Sequence, residues 1–172
     1  MISASLADAA PLQRRVVLDT NVVLDLLRFC DPRTAVLGRA LRAGRVCAFT
    51  DSRCTAELER VLAYPKLSLD LAAQSRLMLE YRNTVSDAGS NEAADFAQLP
   101  LCDDPDDQKF LELAWRTNAA LLTRDKALLC LRRRFAKLGG GRICTPEELI
   151  PHLLAELPIT LQSDIGTTGS GA

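Results

Sequence analysis

Short apolar runs alternate with helix-like stretches along this sequence, and this alternation constrains the fold more than any other feature. Four runs of β-branched and apolar residues have the length and composition of buried strands. The predicted strands are residues 15–19, 46–49, 119–123 and 142–144. Short strands separated by helices are typical of a parallel sheet that is covered by helices on both faces. The sequence therefore predicts a single α/β domain.

The helical stretches have recognisable start and stop signals. We predict helices at residues 21–28, 34–43, 52–63, 70–83, 106–118 and 125–135, and a last one from Thr145 onward. In the last helix Pro146 suits the first turn, and Glu148 completes a capping box with Thr145. Residues 86–95 are small and polar, which predicts a loop. We expect the folded domain at 14–157, a flexible extension at 1–13 and a disordered Gly/Ser/Thr-rich tail at 158–172.

Composition excludes several classes of function. Lys and Arg number 21 against 22 Asp and Glu, so bulk charge does not predict nucleic-acid binding. We expect a cytoplasmic protein without a membrane span, because charges interrupt every apolar run and the first residues lack a signal-peptide pattern. The six cysteines are scattered singly and His152 is the only histidine, which disfavours zinc, disulfide and histidine-dependent nucleophilic chemistry. Any chemistry is therefore expected to depend on carboxylates.

Two acidic residues follow predicted strands. Asp19 ends the first strand, and Asp125 lies two residues beyond the third. Ligands bind at the carboxyl ends of parallel strands, so both carboxylates face one crevice if these strands are neighbours. Three companions, Thr20, Asn21 and Thr123, could orient a carboxylate or a metal-bound water. The alternative is that both acids only cap helices.

A denser acidic cluster begins the predicted helix at 106–118. The segment Cys102-Asp103-Asp104-Pro105-Asp106-Asp107 holds four acids within five residues, with no basic residue before Lys109. A helix N-terminus favours one or two negative charges, but four repel one another at neutral pH. A divalent cation would relieve this repulsion, and hard oxygen ligands suit Mg²⁺ or Mn²⁺.

A further acid lies on the helix that follows the second strand, where Glu57 and Glu59 are both candidates. Spacing does not choose between them. A surface ion pair with Arg53 or Arg60, one turn away, explains Glu57 equally well.

Basic residues are concentrated after the third strand. Between Arg124 and Arg142 seven bases face the single acid Asp125. Such a patch would give salt-dependent, largely sequence-independent contacts with phosphates, although a solvated helix face explains it as well. The candidate RNA-binding residues are Arg124, Arg132, Arg133, Arg134 and Lys137. Aromatic residues make up only 5%, so extensive base stacking is not expected.

Four segments, taken in order, resemble the motifs of PIN domains. They are Val16-Val17-Leu18-Asp19-Thr20-Asn21-Val22, Glu57 after the second strand, Asp104-Pro105-Asp106-Asp107-Gln108-Lys109-Phe110-Leu111-Glu112-Leu113-Ala114, and Leu121-Leu122-Thr123-Arg124-Asp125. The resemblance spans about residues 15–150. It implies a three-layer α/β/α sandwich with a central, mainly parallel sheet, and a Mg²⁺- or Mn²⁺-dependent ribonuclease. By motif matching, the catalytic metal-binding acids would be Asp19, Glu57, Asp107 and Asp125, with Asp104 as an additional ligand.

The D-P-x-D form at 104–107 is similar to the PIN subgroup that supplies the toxins of bacterial type II toxin–antitoxin pairs. This resemblance implies an endoribonuclease that forms a homodimer and is inhibited by an antitoxin protein bound in the active-site groove.

Two other classes of function stay open. One is a phosphatase with Asp19 as its nucleophile, which is disfavoured because Asn21 stands where such enzymes carry a second Asp. The other is a catalytically silent PIN-like binding module whose acids are structural.

Overall fold

A computed structural model describes residues 15–89 and 96–155, with side chains described as far as residue 151. The strands are β1 (Arg15–Leu18), β2 (Cys47–Thr50), β3 (Val85–Asp87), β4 (Ala120–Leu122) and β5 (Ile143–Cys144). The helices are α1 (Thr20–Leu27), α2 (Ala35–Arg42), α3 (Ser52–Leu62), α4 (Leu71–Thr84), α5 (Gln108–Thr117), α6 (Lys126–Cys130), α7 (Arg132–Lys137) and α8 (Pro146–Ala155). Short 3-10 turns occupy Pro32–Thr34, Pro65–Leu67 and Pro105–Asp107. The predicted extension at 1–13, the tail at 158–172 and the side chain of His152 lie outside the described residues.

The five strands form one parallel sheet in the order β3-β2-β1-β4-β5. β1 is central: the chain builds one side of the sheet with β2 and β3, then crosses to build the other side with β4 and β5. The point where strand order reverses lies between β1 and β4, and ligands of open α/β sheets bind beside such a point. The predicted α/β fold is therefore confirmed, and its crevice lies where the sequence places acids.

Two apolar cores cover the two faces of the sheet. Side chains alternate along β1, so that Val16 and Leu18 join one core and Val17 joins the other. Helices α1, α2, α4 and α8 contribute to the first core, and α5, α6 and α7 to the second. Helix α3 contributes to both, through Leu58 on one side and Cys54 on the other. Full burial of a large apolar side chain contributes roughly 1.5–3 kcal/mol, so these two cores hold the α/β/α sandwich together.

Two local expectations were wrong. Residues 86–95 were expected to form a loop, but Val85–Asp87 is the edge strand β3, paired with β2. Its Ser86 and Asp87 are exposed, so the segment lacks the apolar pattern that marks a buried strand. The helix expected at 125–135 is two helices, α6 and α7, which meet at Leu131.

The capping box of the last helix is confirmed by reciprocal hydrogen bonds. The amide of Glu148 donates to Thr145 Oγ1 over 3.3 Å, and the amide of Thr145 donates to Glu148 Oε2 over 2.8 Å. Just before β5, Gly141 lies against the carbonyl of Ala119, and a Cβ there would overlap that oxygen. The glycine thus permits the close approach that brings β5 beside β4.

No helix in the described part of the chain combines the length and the apolar character that a bilayer span requires.

Candidate metal centre

Asp19 lies directly after β1 and caps α1. Its carboxylate accepts hydrogen bonds from the amide of Asn21 over 3.3 Å and from Thr123 Oγ1 over 2.7 Å, and only 3% of the residue is exposed. Burial raises the pKa of Asp19, the two hydrogen bonds lower it, and the charges of Glu57 and Asp125 raise it further. Asp19 is therefore a buried, oriented carboxylate that is repelled by other acids nearby.

Thr123 joins Asp19 to Asp125. It follows β4, is fully buried, and its Oγ1 accepts the amide of Asp125 over 2.9 Å while donating to Asp19. Asp125 caps α6 by accepting the amides of Ala127 and Leu128 at 2.7 Å and 3.1 Å, both on Oδ1. Because β1 and β4 are parallel neighbours, the two acids share one crevice. Asp19 and Asp125 also cap helices, so a capping role and a role in a metal site are compatible at both residues.

The structure distinguishes between the two candidate glutamates of α3. Glu57 faces the crevice: Thr20 Oγ1 donates to its Oε1 over 2.8 Å, and Lys109 Nζ forms an ion pair with its Oε2. Glu59 is exposed and pairs with Arg82 over 2.8 Å.

The arginines that the spacing offered to Glu57 have other partners. Arg53 contacts Asp51 and Glu112, and Arg60 lies 3.7 Å from Asp106. A surface ion pair with either arginine therefore does not explain Glu57.

Asp107 immediately precedes α5 and is half-buried. Burial, followed by the charges of Asp19, Asp104, Asp125 and Glu57, raises the pKa of Asp107 to about 6. Asp104 is exposed and accepts the backbone amide two residues on over 2.9 Å. Each of the other four acids that motif matching assigned to the site therefore contributes to the raised pKa of Asp107.

The chemistry of this donor set fits a hard divalent cation. All five acids offer carboxylate oxygens, which Mg²⁺ and Mn²⁺ prefer. Among the residues that the structure describes, however, no three Asp, Glu, His or Cys side chains lie close enough to hold a metal ion as they stand. A divalent cation held by these acids would therefore require side-chain movements that bring the carboxylates together.

The predicted basic patch is divided by the structure. Arg124 lies 2.7 Å from Asp25 of α1 and 2.7 Å from Glu147 of α8, so its guanidinium is engaged within the protein. Arg132 lies 3.3 Å from Glu148. The remaining three residues, Arg133, Arg134 and Lys137, are exposed on α7, and within the described ranges no ion pair involves them.

Sequence reasoning missed one residue of the site. The acidic cluster offers no reason to place Lys109, the first base after it, in the site, yet Lys109 contacts Glu57. Its position, two residues after Asp107 in the first turn of α5, was the available signal, because a cation is unfavourable at a helix N-terminus unless acids surround it. Asn21, expected as a companion able to orient a carboxylate or a metal-bound water, contacts Asp19 through its backbone amide.

Fold and site together define a parallel α/β/α sandwich with carboxylates gathered at the reversal of strand order. The sequence profile of the PIN domain matches residues 15–127, well over half of the 172-residue chain, and this span includes Asp19, Glu57, Asp107 and Asp125. The protein therefore belongs to the PIN domain family, a nuclease-type fold. No curated protein matches this sequence as a relative.

Proposed function

We propose that this protein is a divalent-metal-dependent endoribonuclease that hydrolyses RNA phosphodiester bonds. The observation that carries the proposal is that four acids from four separate segments, Asp19, Glu57, Asp107 and Asp125, lie around one crevice beside β1 and β4, although they do not yet meet at ligand distance. Gathering like charges opposes folding, so a role in holding a cation accounts for their arrangement better than helix capping alone. The proposed ligands of Mg²⁺ or Mn²⁺ are these four acids, with Asp104 at the exposed rim.

Side chains around the acids are arranged to fix the ligands. Thr123 holds one oxygen of Asp19, Thr20 holds one oxygen of Glu57, and the first amides of α6 hold Oδ1 of Asp125. Such hydrogen-bond partners orient the residues that ligate a metal, and the loss of one typically reduces metal affinity or activity 10–100-fold. A bound metal would supply Lewis-acid chemistry, acidifying water and offsetting charge on the phosphate.

RNA contact is proposed for the exposed face of α7, with Arg133, Arg134 and Lys137 as its principal cations. Contacts between such cations and phosphates add affinity without reading sequence. Arg132 is a weaker candidate because Glu148 neutralises part of its charge, and Arg124 is weaker still because Asp25 and Glu147 hold it.

Asp19 as a phosphatase nucleophile remains the weaker alternative, because Asn21 stands where such enzymes carry a second Asp.

The experiment that tests the nuclease proposal is cleavage of end-labelled single-stranded and structured RNAs with Mn²⁺, Mg²⁺ or EDTA. We expect cleavage by the wild type only with metal, and a loss on the order of 100-fold in Asp107→Asn, since even partners of metal ligands are worth 10–100-fold. Asp106→Asn is the matched control, because Asp106 is adjacent and exposed and its carboxylate contacts only Arg60 among the described residues. Equal cleavage by wild type and Asp107→Asn would reject the proposal. Metal-independent RNA binding without cleavage would instead favour the silent binding module.

A finer proposal is that the protein is the toxin of a type II toxin–antitoxin pair, acting as a homodimer in the cytoplasm. Its support is the D-P-x-D form at 104–107. The test is whether a small protein encoded beside this gene co-purifies with the chain and blocks its RNA cleavage. A neighbouring protein that neither binds nor inhibits would remove the toxin assignment while leaving the nuclease proposal intact.

A further inference from the structure

Lys109 occupies an unusual place for a cation. It lies in the first turn of α5, where the helix dipole disfavours positive charge, and its side chain is only 13% exposed. Its ammonium group contacts Glu57 Oε2 and the backbone carbonyl oxygen of Asp106. The acids around it therefore compensate both the helix dipole and the burial of its charge.

Lys109 also brings a positive charge to the acidic centre, the group formed by the five proposed metal ligands. In the part of the chain that the structure describes, it is the one Lys or Arg that forms an ion pair with any of the five proposed ligands. Arg124, the nearest arginine in sequence to Asp125, is directed instead to Asp25 and Glu147.

The contacts of Glu57 make its two oxygens unequal. Oε1 accepts the hydroxyl of Thr20 over 2.8 Å, an interaction that a metal ligand can retain as an orienting contact. Oε2 faces the ammonium of Lys109, and the Glu57 side chain is only 12% exposed. A divalent cation that takes Oε2 must therefore share it with Lys109 or displace Lys109.

We infer that Lys109 is a built-in counter-ion, which holds Glu57 while no metal is bound and competes with the metal for that carboxylate. The inference rests on the proposed function, because it takes Glu57 as a metal ligand. Metal binding then exchanges one cation for another at Glu57, so this buried carboxylate keeps a positively charged partner in both states. The Asp106 carbonyl remains as an acceptor for the displaced ammonium.

The experiment is calorimetric titration of the metal-free protein with Mn²⁺, in wild type, Lys109→Met and Lys109→Arg. We expect Lys109→Met to bind Mn²⁺ about tenfold more tightly, since it no longer breaks a charge-assisted contact, and Lys109→Arg to stay near wild type. Lys126→Met is the matched control: Lys126 is exposed and adjacent to Asp125, and it forms no ion pair with any residue in 15–89 or 96–151, so this variant removes the same charge without breaking such a pair. Its affinity should change less than twofold at physiological salt, because solvent and salt screen an exposed charge.

A second measurement separates competition from a purely structural role. Lys109→Met should melt at a lower temperature than wild type in EDTA, because Glu57 loses its partner, and this difference should shrink or vanish at saturating Mn²⁺. Equal melting differences with and without Mn²⁺, together with an unchanged Mn²⁺ affinity, would overturn the inference. Lys109→Gln serves as the second neutral variant if Lys109→Met does not fold.

Failure of this inference can be told apart from failure of the proposed function. Wild-type protein that binds no Mn²⁺ and cuts no RNA would overturn both. Metal-dependent cleavage by the wild type, with Mn²⁺ affinity unchanged in the neutral Lys109 variants, would overturn the counter-ion role alone.

Discussion

Thr123 donates a hydrogen bond from Oγ1 to Asp19 Oδ2 over 2.7 Å, although the two residues are 104 positions apart in sequence. The same oxygen accepts the amide of Asp125. The buried hydroxyl of Thr123 therefore fixes the side-chain orientation of Asp19, which follows β1. It also fixes the backbone position of Asp125, which lies beyond β4. Neither contact is available until the two strands are paired.

We expect Thr123→Val to destabilise the protein by about 1–3 kcal/mol, the usual cost of leaving a buried polar group without its partner. Valine nearly preserves the volume of threonine but offers no donor to Asp19 and no acceptor to the amide of Asp125. Urea unfolding in EDTA measures the change. Thr123→Ser, which keeps the hydroxyl, is the control and should stay closer to wild type. Equal stability of the Val and Ser variants would show that the hydroxyl does not hold Asp19.

Asp19→Asn should remove most of the thermal stabilisation that Mn²⁺ gives to the wild type. A ligand at 100 times its Kd stabilises a protein by about 2.7 kcal/mol, and losing a central carboxylate raises that Kd. Melting curves with and without millimolar Mn²⁺ measure the effect. Asp70→Asn is the matched control, because Asp70 also caps a helix but is exposed on α4. That variant should melt earlier yet keep the full metal-induced rise. A wild type whose melting is unchanged by millimolar metal would contradict the metal centre.

The raised pKa of Asp107 predicts a pH dependence with a definite sign. A carboxyl whose pKa is about 6 in the folded state and 3.8 ordinarily binds more protons when folded. The contribution of Asp107 to the free energy of unfolding therefore falls as pH rises from about 4 to 6 in metal-free protein. The difference between wild type and Asp107→Asn should fall by on the order of 1 kcal/mol across this window, because solvent screens a half-buried group.

Urea unfolding in EDTA at several pH values gives this difference directly. Carboxyls with lowered pKa, such as Asp31 and Asp51, titrate in both proteins and cancel from the comparison. Asp106→Asn should run parallel to the wild type. A difference that stays constant from pH 4 to 6 would mean that neither burial nor the neighbouring acids raise the pKa of Asp107.

Replacing Arg133, Arg134 and Lys137 together by Gln should weaken binding of single-stranded RNA and leave the melting temperature almost unchanged, because these residues are exposed. Each lost phosphate contact reduces the slope of log affinity against log salt by about 0.7 for single strands, so three contacts give about 2. Fluorescence anisotropy at several salt concentrations measures the slope. The control is Gln at Arg39, Arg42 and Arg76, three exposed cations on α2 and α4 in the opposite helical layer. An equal loss in both triple variants would indicate only a bulk-charge effect.

Much of this architecture could be predicted because buried strands and helix caps leave local patterns. The runs ending at Asp19 and before Asp125 marked two neighbouring parallel strands, and the acids marked their carboxyl ends. Strand β3 could not be found this way, because two of its three residues are exposed and its pairing with β2 is its only strand character. The joint between α6 and α7 was missed for a similar reason, since Leu131 carries no break signal.

Side-chain partners across the fold were beyond sequence reasoning. The choice of Glu57 over Glu59 depends on Thr20 and Lys109, which lie on other helices. Arg124 was expected to contact RNA, but two carboxylates distant in sequence hold it in the folded protein. Charge and spacing identify candidates for such contacts, while the packing of helices on the sheet decides which contacts form.

The central place of β1 has a consequence for synthesis of the protein. Asp19, which follows β1, is synthesised early. Strand β4, which positions Thr123 and Asp125 beside it, is synthesised more than a hundred residues later. A nascent or truncated chain that stops before residue 123 carries three of the four acids and lacks the hydroxyl that orients the first. The proposed metal centre therefore requires β4 to be paired with β1, and a chain that ends before β4 is expected to lack it.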